Sequence, residues 1–245
     1  MTDAPDPRSG KLRLDYELIE SMVPEGARVL DLGCGDGRLL ADLIARKGCV
    51  GRGIEIDDEA VLACLQRGVP VYHGDMLEGL GGYADGHFDV AILSQTLQQA
   101  SDPPAVIGDM LRVAERAIIS FPNFGHWSIR LRLLLGGRMP QTTALPHEWF
   151  STPNVHLCTV KDFRAFCESR HLCRSEEIYL TPRFRRISPV LANWRAGMAI
   201  VQIRRCDGPC TWQGPSASTA GGGRKRDGVS EGTRTPDPLD HNQVL

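Results

Sequence analysis

Three carboxylates and three alternate glycines in the first third of the chain carry the strongest chemistry. The segment Val29-Leu30-Asp31-Leu32-Gly33-Cys34-Gly35-Asp36-Gly37 runs from an apolar stretch into a glycine-rich turn and then into a helical pattern. Glycine allows a tight turn and a close approach to backbone N–H groups. A helix that starts there adds free N–H donors and a positive dipole end. The glycines follow G-x-G-x-G, not the G-x-G-x-x-G of a dinucleotide fingerprint. A pyrophosphate wants backbone donors, whereas an acid two residues before the first glycine suits a cationic or amine-bearing ligand. Glu55, with Ile56 beside it, closes the next apolar run 18 residues after Gly37. A carboxylate there can accept both hydroxyls of a ribose, for the same reason as in dinucleotide folds. Asp75 closes a third run, where it can accept from an adenine amino group while the N–H of Met76 serves a ring nitrogen. Each of these has a plainer alternative. Glu55 and Asp75 can be helix caps or exposed strand-end charges, Asp57 suits a helix N-cap, and Cys34 suits a small packing residue.

The elements that must position these residues alternate along the chain. Strands are expected at Ala27–Leu32, Val50–Ile56, Val69–His73, Phe88–Leu93 and Ala117–Phe121. Helices are expected at Leu14–Met22, Arg38–Lys47, Asp58–Arg67 and Pro103–Val113, the last with prolines in its first turn. Such alternation predicts a doubly wound, mostly parallel, Rossmann-like α/β sheet covered on both faces. Phe124–Leu135 can form a helix of mixed basic and apolar surface. Gly136–Thr159 is a long segment rich in Pro, His and aromatics, of the kind that covers a site. After a helix at Val160–Arg170, residues 171–180 and 197–204 supply two last strands as an antiparallel hairpin, seven strands in all. Residues 1–12 are expected to be a disordered leader, 13–205 the single domain, and 206–245 a disordered tail without core-forming periodicity.

Composition narrows the function classes. The 245 residues carry a formal net charge of -2 and are 42% hydrophobic. That balance gives no attraction toward polyanions, so no nucleic-acid partner is expected. No apolar run approaches the roughly 18 residues needed to span a bilayer, and no secretory signal opens the chain, so no membrane partner and a cytoplasmic location are expected. The eight cysteines form no C-x-x-C pair and read as buried free thiols. Cys206 and Cys210 lack nearby histidines, so no metal site is expected.

Asp-x-Gly-x-Gly-x-Gly followed by two further acidic strand ends resembles the class I S-adenosylmethionine-dependent methyltransferases. The resemblance implies S-adenosylmethionine as cofactor, with Gly33, Cys34 and Gly35 at its methionine part and Asp31 near its amino group. It implies Glu55 at the ribose and Asp75 at the adenine; Ile56, Met76 and Ser94 join them as candidate cofactor-binding residues, Ser94 following the fourth strand at the edge where a methyl acceptor would lie. A closer resemblance covers most of residues 12–180. Arg13-Leu14-Asp15, Ser94-Gln95-Thr96-Leu97-Gln98, Ser120-Phe121-Pro122-Asn123-Phe124-Gly125-His126-Trp127 and Thr152-Pro153-Asn154-Val155-His156-Leu157-Cys158-Thr159 are similar to the MetW family of methionine biosynthesis proteins. That resemblance implies a partner, a homoserine O-acyltransferase.

Catalytic residues do not emerge. Gln95, Gln98 and Gln99 follow the fourth strand and cannot take a proton, as a general base must. His126, His147 and His156 fall in segments able to fold over the site, or are structural. Methyl transfer can also proceed by proximity and orientation alone. The aromatics Phe124, Trp127, Trp149 and Phe150, near Arg130, Arg132 and Arg138, can line a pocket, present a docking surface or simply pack a lid on the sheet. Two readings stand: a cofactor-binding module that supports an acyltransferase, and an active methyltransferase on a small metabolite.

Overall fold

The computed structural model describes residues 9–142 and 148–206. Helix α1 (Ser9–Met22) leads into β1 (Arg28–Leu32), α2 (Arg38–Lys47), β2 (Val50–Glu55), α3 (Asp58–Gln66), β3 (Val71–His73) and α4 (Met76–Gly81). Then come β4 (Phe88–Ser94), α5 (Pro103–Val113), β5 (Ala114–Pro122), α6 (Trp127–Gly136) and α7 (Val160–Ser169). The last elements are β6 (Leu172–Leu180), β7 (Arg186–Ile187), α8 (Ala192–Arg195) and β8 (Met198–Arg205). One sheet of order β3-β2-β1-β4-β5-β8-β6-β7 joins them. The neighbours from β3 through β5 run parallel, while β8 is antiparallel to both β5 and β6.

The strand order reverses at β1. From it the chain moves outward to β2 and β3, then returns to β4 on the other side. The carboxyl ends of β1 and β4 therefore flank a crevice, the place where open α/β sheets hold ligands. Alternation along the central strands fills two cores. Leu30, Leu32, Ala91 and Leu93 pack with α5 and α7 residues such as Ile107, Met110 and Phe163. Val29, Val90 and Ile92 pack on the opposite face with Ile19 of α1 and Leu40 and Leu43 of α2. Asp31 shares the parity of Val29, so its side chain emerges on the α1–α2 face.

The expected doubly wound sheet and C-terminal hairpin are present, with an eighth strand. The two-residue β7 pairs with Tyr179 and Leu180 at the edge, too short to leave a period in the sequence. Helix α4 also goes beyond expectation, since six residues with Gly79 and Gly81 carry little helical pattern. Helix α1 begins at Ser9 and so takes in residues 9–12 of the expected leader. Its first eight residues, His147, Cys210 and the rest of the expected tail lie outside the described residues. The cysteine reading needs one correction. Cys34, Cys49, Cys64, Cys158 and Cys167 are free thiols, but Cys173 and Cys206 form a disulfide with Cα atoms 5.3 Å apart. A separation of 33 residues hides what antiparallel pairing of β6 with β8 brings together.

The sheet is tightest beneath the glycine loop. A Cβ at Gly53 would overlap the sulfur of Cys34, and cores resist such overpacking. Gly53→Ala should therefore lower stability by about 1–3 kcal/mol, read as a shifted urea midpoint at unchanged slope. An unshifted midpoint would show that the loop yields freely.

Candidate functional site

The turn after β1 uses its glycines for different purposes. Gly33, Gly35 and Gly37 all have positive φ (65°, 55° and 71°). A Cβ on Gly33 would meet Thr96 at 2.7 Å, and one on Gly37 would meet the sulfur of Cys64 at 2.8 Å. Those two glycines let neighbouring elements close in. Nothing lies within 4 Å of the Cβ position at Gly35, so this residue borders open space at the mouth of the crevice. The backbone N–H groups of Gly33 and Cys34 donate to Ile54 O (2.8 and 3.2 Å), fixing the turn to the end of β2. The Cys34 thiol points away from the mouth, into the core beside Cys64 at 3.7 Å. Burial, then the nearby Asp31 and Cys64, pushes it well above the usual thiol range. Its side chain is the packing residue of the plainer reading.

Asp31 is the singular group. It is 2% exposed, and its Oδ1 has no hydrogen-bond partner among the described residues. Burial, with Glu55 nearby, pushes its carboxyl up to about 8. Such a group takes up a proton or a cation. Glu55 is held differently. Its Oε2 accepts from Gly35 N (2.8 Å), and its Oε1 accepts from Ile56 N (2.8 Å) and Asp57 N (3.0 Å). The carboxylate thus clasps the glycine loop; Oε1 is occupied by its two amides, and Oε2, with one, keeps a lone pair for a ligand. Asp75 is the N-cap of α4, its Oδ1 accepting from Leu77 N at 2.8 Å. The capping alternative holds for that oxygen, and the second oxygen and the first N–H of α4, on Met76, are left for a ligand. Asp57 caps α3 through Ala60 N at 2.9 Å.

The crevice has a fourth side that sequence reasoning missed. Asp15 of α1 is 0% exposed, and its Oδ2 accepts from Gln95 Nε2 at 2.8 Å. Its Oδ1 has no partner among the described residues, and burial pushes the carboxyl up to about 7. Gln95 has the left-handed φ of 54°, which costs a non-glycine residue energy and clusters at functional sites. Its N–H donates to the Ser120 hydroxyl and carbonyl, both at 3.0 Å. Ser94 touches the same Ser120 hydroxyl at 3.2 Å. Burial, followed by the charge of Asp31, pushes the phenol of Tyr16 upward. One signal was present: Asp15, Ile19 and Met22 share helical spacing, so a carboxylate sits on a core-facing stripe.

Neither His126 nor His156 is hydrogen-bonded to Ser94 or Gln95. His126 caps α6, its Nδ1 accepting from Ser128 N at 3.3 Å, and burial pushes its pKa down. His156 lies farther out, on a mostly apolar cavity of about 210 Å³ with Leu97, Phe121 and Phe163. Among the described residues no group of three His, Cys, Asp or Glu could hold a metal ion. No helix among them is long and apolar enough to cross a membrane.

An orphaned acid, a loop bordered by open space and a clasped second acid fit an amine-bearing adenosyl ligand. The strand order with this loop at its switch point defines a class I methyltransferase-like α/β domain. A family model described as "Methionine biosynthesis protein MetW" matches residues 13–203. The chain belongs to the MetW family. Its relatives include the "Bifunctional methionine biosynthesis protein MetXA/MetW" of Rhodopirellula baltica, 34% identical over 205 residues. That match takes in 79% of this chain and 33% of the relative, so the chain spans about a third of that protein's length. Among solved structures, a SAM-dependent methyltransferase from Archaeoglobus fulgidus has a TM-score of 0.56 at 14% identity, covering 82% of this chain and 95% of that one. The [4+2]-cyclase SpnF has a TM-score of 0.58 at 18% identity, covering 84% and 85%. At such identities the likeness establishes the fold alone.

Titration of Asp31 has a measurable consequence. Its folded pKa is raised, so the folded chain holds a proton there that the unfolded chain has lost between about pH 4 and pH 8. The corresponding stability is full below that window and is lost as pH rises through about 8. Asp31→Asn removes the titration, so the variant should gain stability relative to the parent as pH rises from about 5 to about 8.5. Urea denaturation across that range measures this. A difference independent of pH would place Asp31 in an ordinary, solvated setting.

Proposed function

We propose that this chain is an S-adenosylmethionine-binding, methyltransferase-like protein of methionine biosynthesis that associates with a homoserine O-acyltransferase and supports it. The observation that carries the reading is the relative whose printed name joins MetXA and MetW in one bifunctional protein. Two activities fused in one chain elsewhere are a natural pair of partners when separate, because fusion only raises their effective concentration.

The cofactor reading rests on the crevice. Asp31 would take the ligand's ammonium group, which supplies the missing donor to Oδ1. Glu55, already oriented by three amides, would accept from a ribose hydroxyl through Oε2, with Ile56 beside it. Asp75 and the N–H of Met76 would face the adenine. Gly35 leaves the space the ligand needs, and α1 closes the crevice with Tyr16 and Asp15. When bound, S-adenosylmethionine supplies an electrophilic methyl group on its sulfonium.

A second reading, an active methyltransferase on a small metabolite, is favoured by one observation. Asp15, raised to about 7, stands behind Gln95 at the Ser94 edge, where a proton acceptor is needed. Turnover of S-adenosylmethionine by the parent protein, lost in Asp15→Asn at unchanged cofactor affinity, would favour this reading over a purely supporting role.

Two measurements test the main proposal. Co-purification with the acyltransferase, with and without S-adenosylmethionine, should give a complex and altered acyltransferase activity. Absence of both outcomes contradicts the partnership. In calorimetric titration, Gly35→Val should weaken S-adenosylmethionine binding about tenfold or more, roughly 1.4 kcal/mol, with the melting temperature followed in parallel. Unchanged affinity would put the ligand elsewhere.

A further inference from the structure

Helix α6 is apolar on nearly every side, with Trp127, Ile129, Leu131, Leu133, Leu134 and Leu135 in ten residues. A helix of that kind is normally enclosed by protein. Here only Ile129 is buried, while Leu134 and Leu135 are 81% and 77% exposed. The strap at 148–157 adds Trp149 (76% exposed) and Phe150, and the turn before and through α8 adds Val190, Leu191 and Trp194. The side chain of Asn123, ahead of α6, donates to Asn193 O of α8 at 3.2 Å, and the strap shares a groove with Arg132 of α6. Of the eighteen large apolar side chains exposed among the described residues, thirteen lie on α6, at Met139, on the strap and on this turn. Scattered exposed residues need no explanation, but contiguous ones mark an interaction surface.

The face is also basic. Residues 123–157 hold three arginines, and 181–197 hold four, against one carboxylate, Glu148, in a chain whose net charge is -2. None of the seven arginines forms an ion pair among the described residues. Arg130 and Arg132 instead brace the face, donating to Gly125 O and to Gln141 O (2.9 Å). Part of this surface is concave. A groove of about 1170 Å³ lies between residues 138–141, just after α6, and the strap, with Arg132 of α6, Arg138, Glu148, Trp149 and Phe150 on its walls. An anionic bilayer would match the charge and the apolarity, but it is flat. A groove with unpaired arginines along it fits a protruding protein element with an apolar ridge and acidic flanks.

We propose that this groove, together with the exposed apolar face of α6 that borders it at Arg132, is the docking surface for the homoserine O-acyltransferase, whose contacting element carries such a ridge. The assignment rests on the partnership proposed above. Exposed Leu191, held in the left-handed region at φ 57°, is consistent with a turn shaped for contact rather than for the chain's own packing.

The test uses the full chain and the purified acyltransferase. Leu134→Glu/Leu135→Glu and Trp149→Ser/Phe150→Ser change exposed residues only, and their melting temperatures should match the parent's. Val50→Glu, exposed on β2, serves as control. Calorimetry and sedimentation velocity should show about a tenfold or greater loss of affinity in both double variants and none in the control. If the parent binds the acyltransferase and both double variants bind equally well, the surface is wrong and the partnership stands. If the parent does not bind it at all, the partnership fails and takes the surface with it. Sedimentation with vesicles of equal parts phosphatidylcholine and phosphatidylglycerol identifies the rival. Vesicle binding lost in Leu134→Glu/Leu135→Glu, with acyltransferase binding kept, would overturn the proposal.

Discussion

A carboxylate buried without a partner is the constraint around which the crevice is arranged. Removing an ionised carboxylate from water costs several kcal/mol unless a partner restores the lost hydrogen bonds. Asp31 has no such partner at Oδ1 among the described residues, and Glu55 nearby makes its charge costlier still. Its place follows from the fold. It lies on the central strand at the point where strand order reverses, and strand alternation turns it toward α1 and α2. Burying Val29 on that face therefore buries Asp31 with it. The free protein meets the cost by holding a proton, and a cation in the crevice would replace that proton with a stronger partner.

The glycine motif serves the same end in two ways. Gly33, Gly37 and Gly53 are packing solutions, each opposed by a side chain that leaves no room for a Cβ. Of the three glycines in the motif, Gly35 is the one that borders open space. Glu55 links the two uses, since its hydrogen bond to Gly35 N fixes the loop before any ligand arrives. Binding to a loop already in place avoids much of the ordering cost that a mobile one would incur. The clasp also explains why an acid belongs at the end of β2 even before a ribose is considered.

Much of this was legible in the sequence, for identifiable reasons. The strand, glycine turn and helix from Val29 to Lys47 combine an unbroken apolar run, three glycines and a 3.6-residue period, and no other local structure satisfies all three. The central parallel strands are enclosed on both faces, so they stand out as apolar runs. What was hidden depends on tertiary pairing. Asp15 looks like a solvated charge on a helix until α1 is laid against β4. Nothing in the letters shows that Gln95 is left-handed, because that conformation is imposed by Ser120. Cys173 and Cys206 become neighbours only through strand pairing. Asp75 was ambiguous in the sequence and has a double character in the structure, one oxygen capping α4 and one left over.

The fold by itself leaves the chemistry open, since a [4+2]-cyclase shares it and function resides in sites rather than in folds. Under the proposed function, Asp31, protonated in the free protein, would exchange its proton for the ammonium group of S-adenosylmethionine. Titration calorimetry at pH 7 in buffers of different ionisation enthalpy counts the protons exchanged on binding. The parent should release about one proton, given a carboxyl near 8, and Asp31→Asn none. Binding without proton release in the parent, or equal release in both proteins, would contradict that exchange.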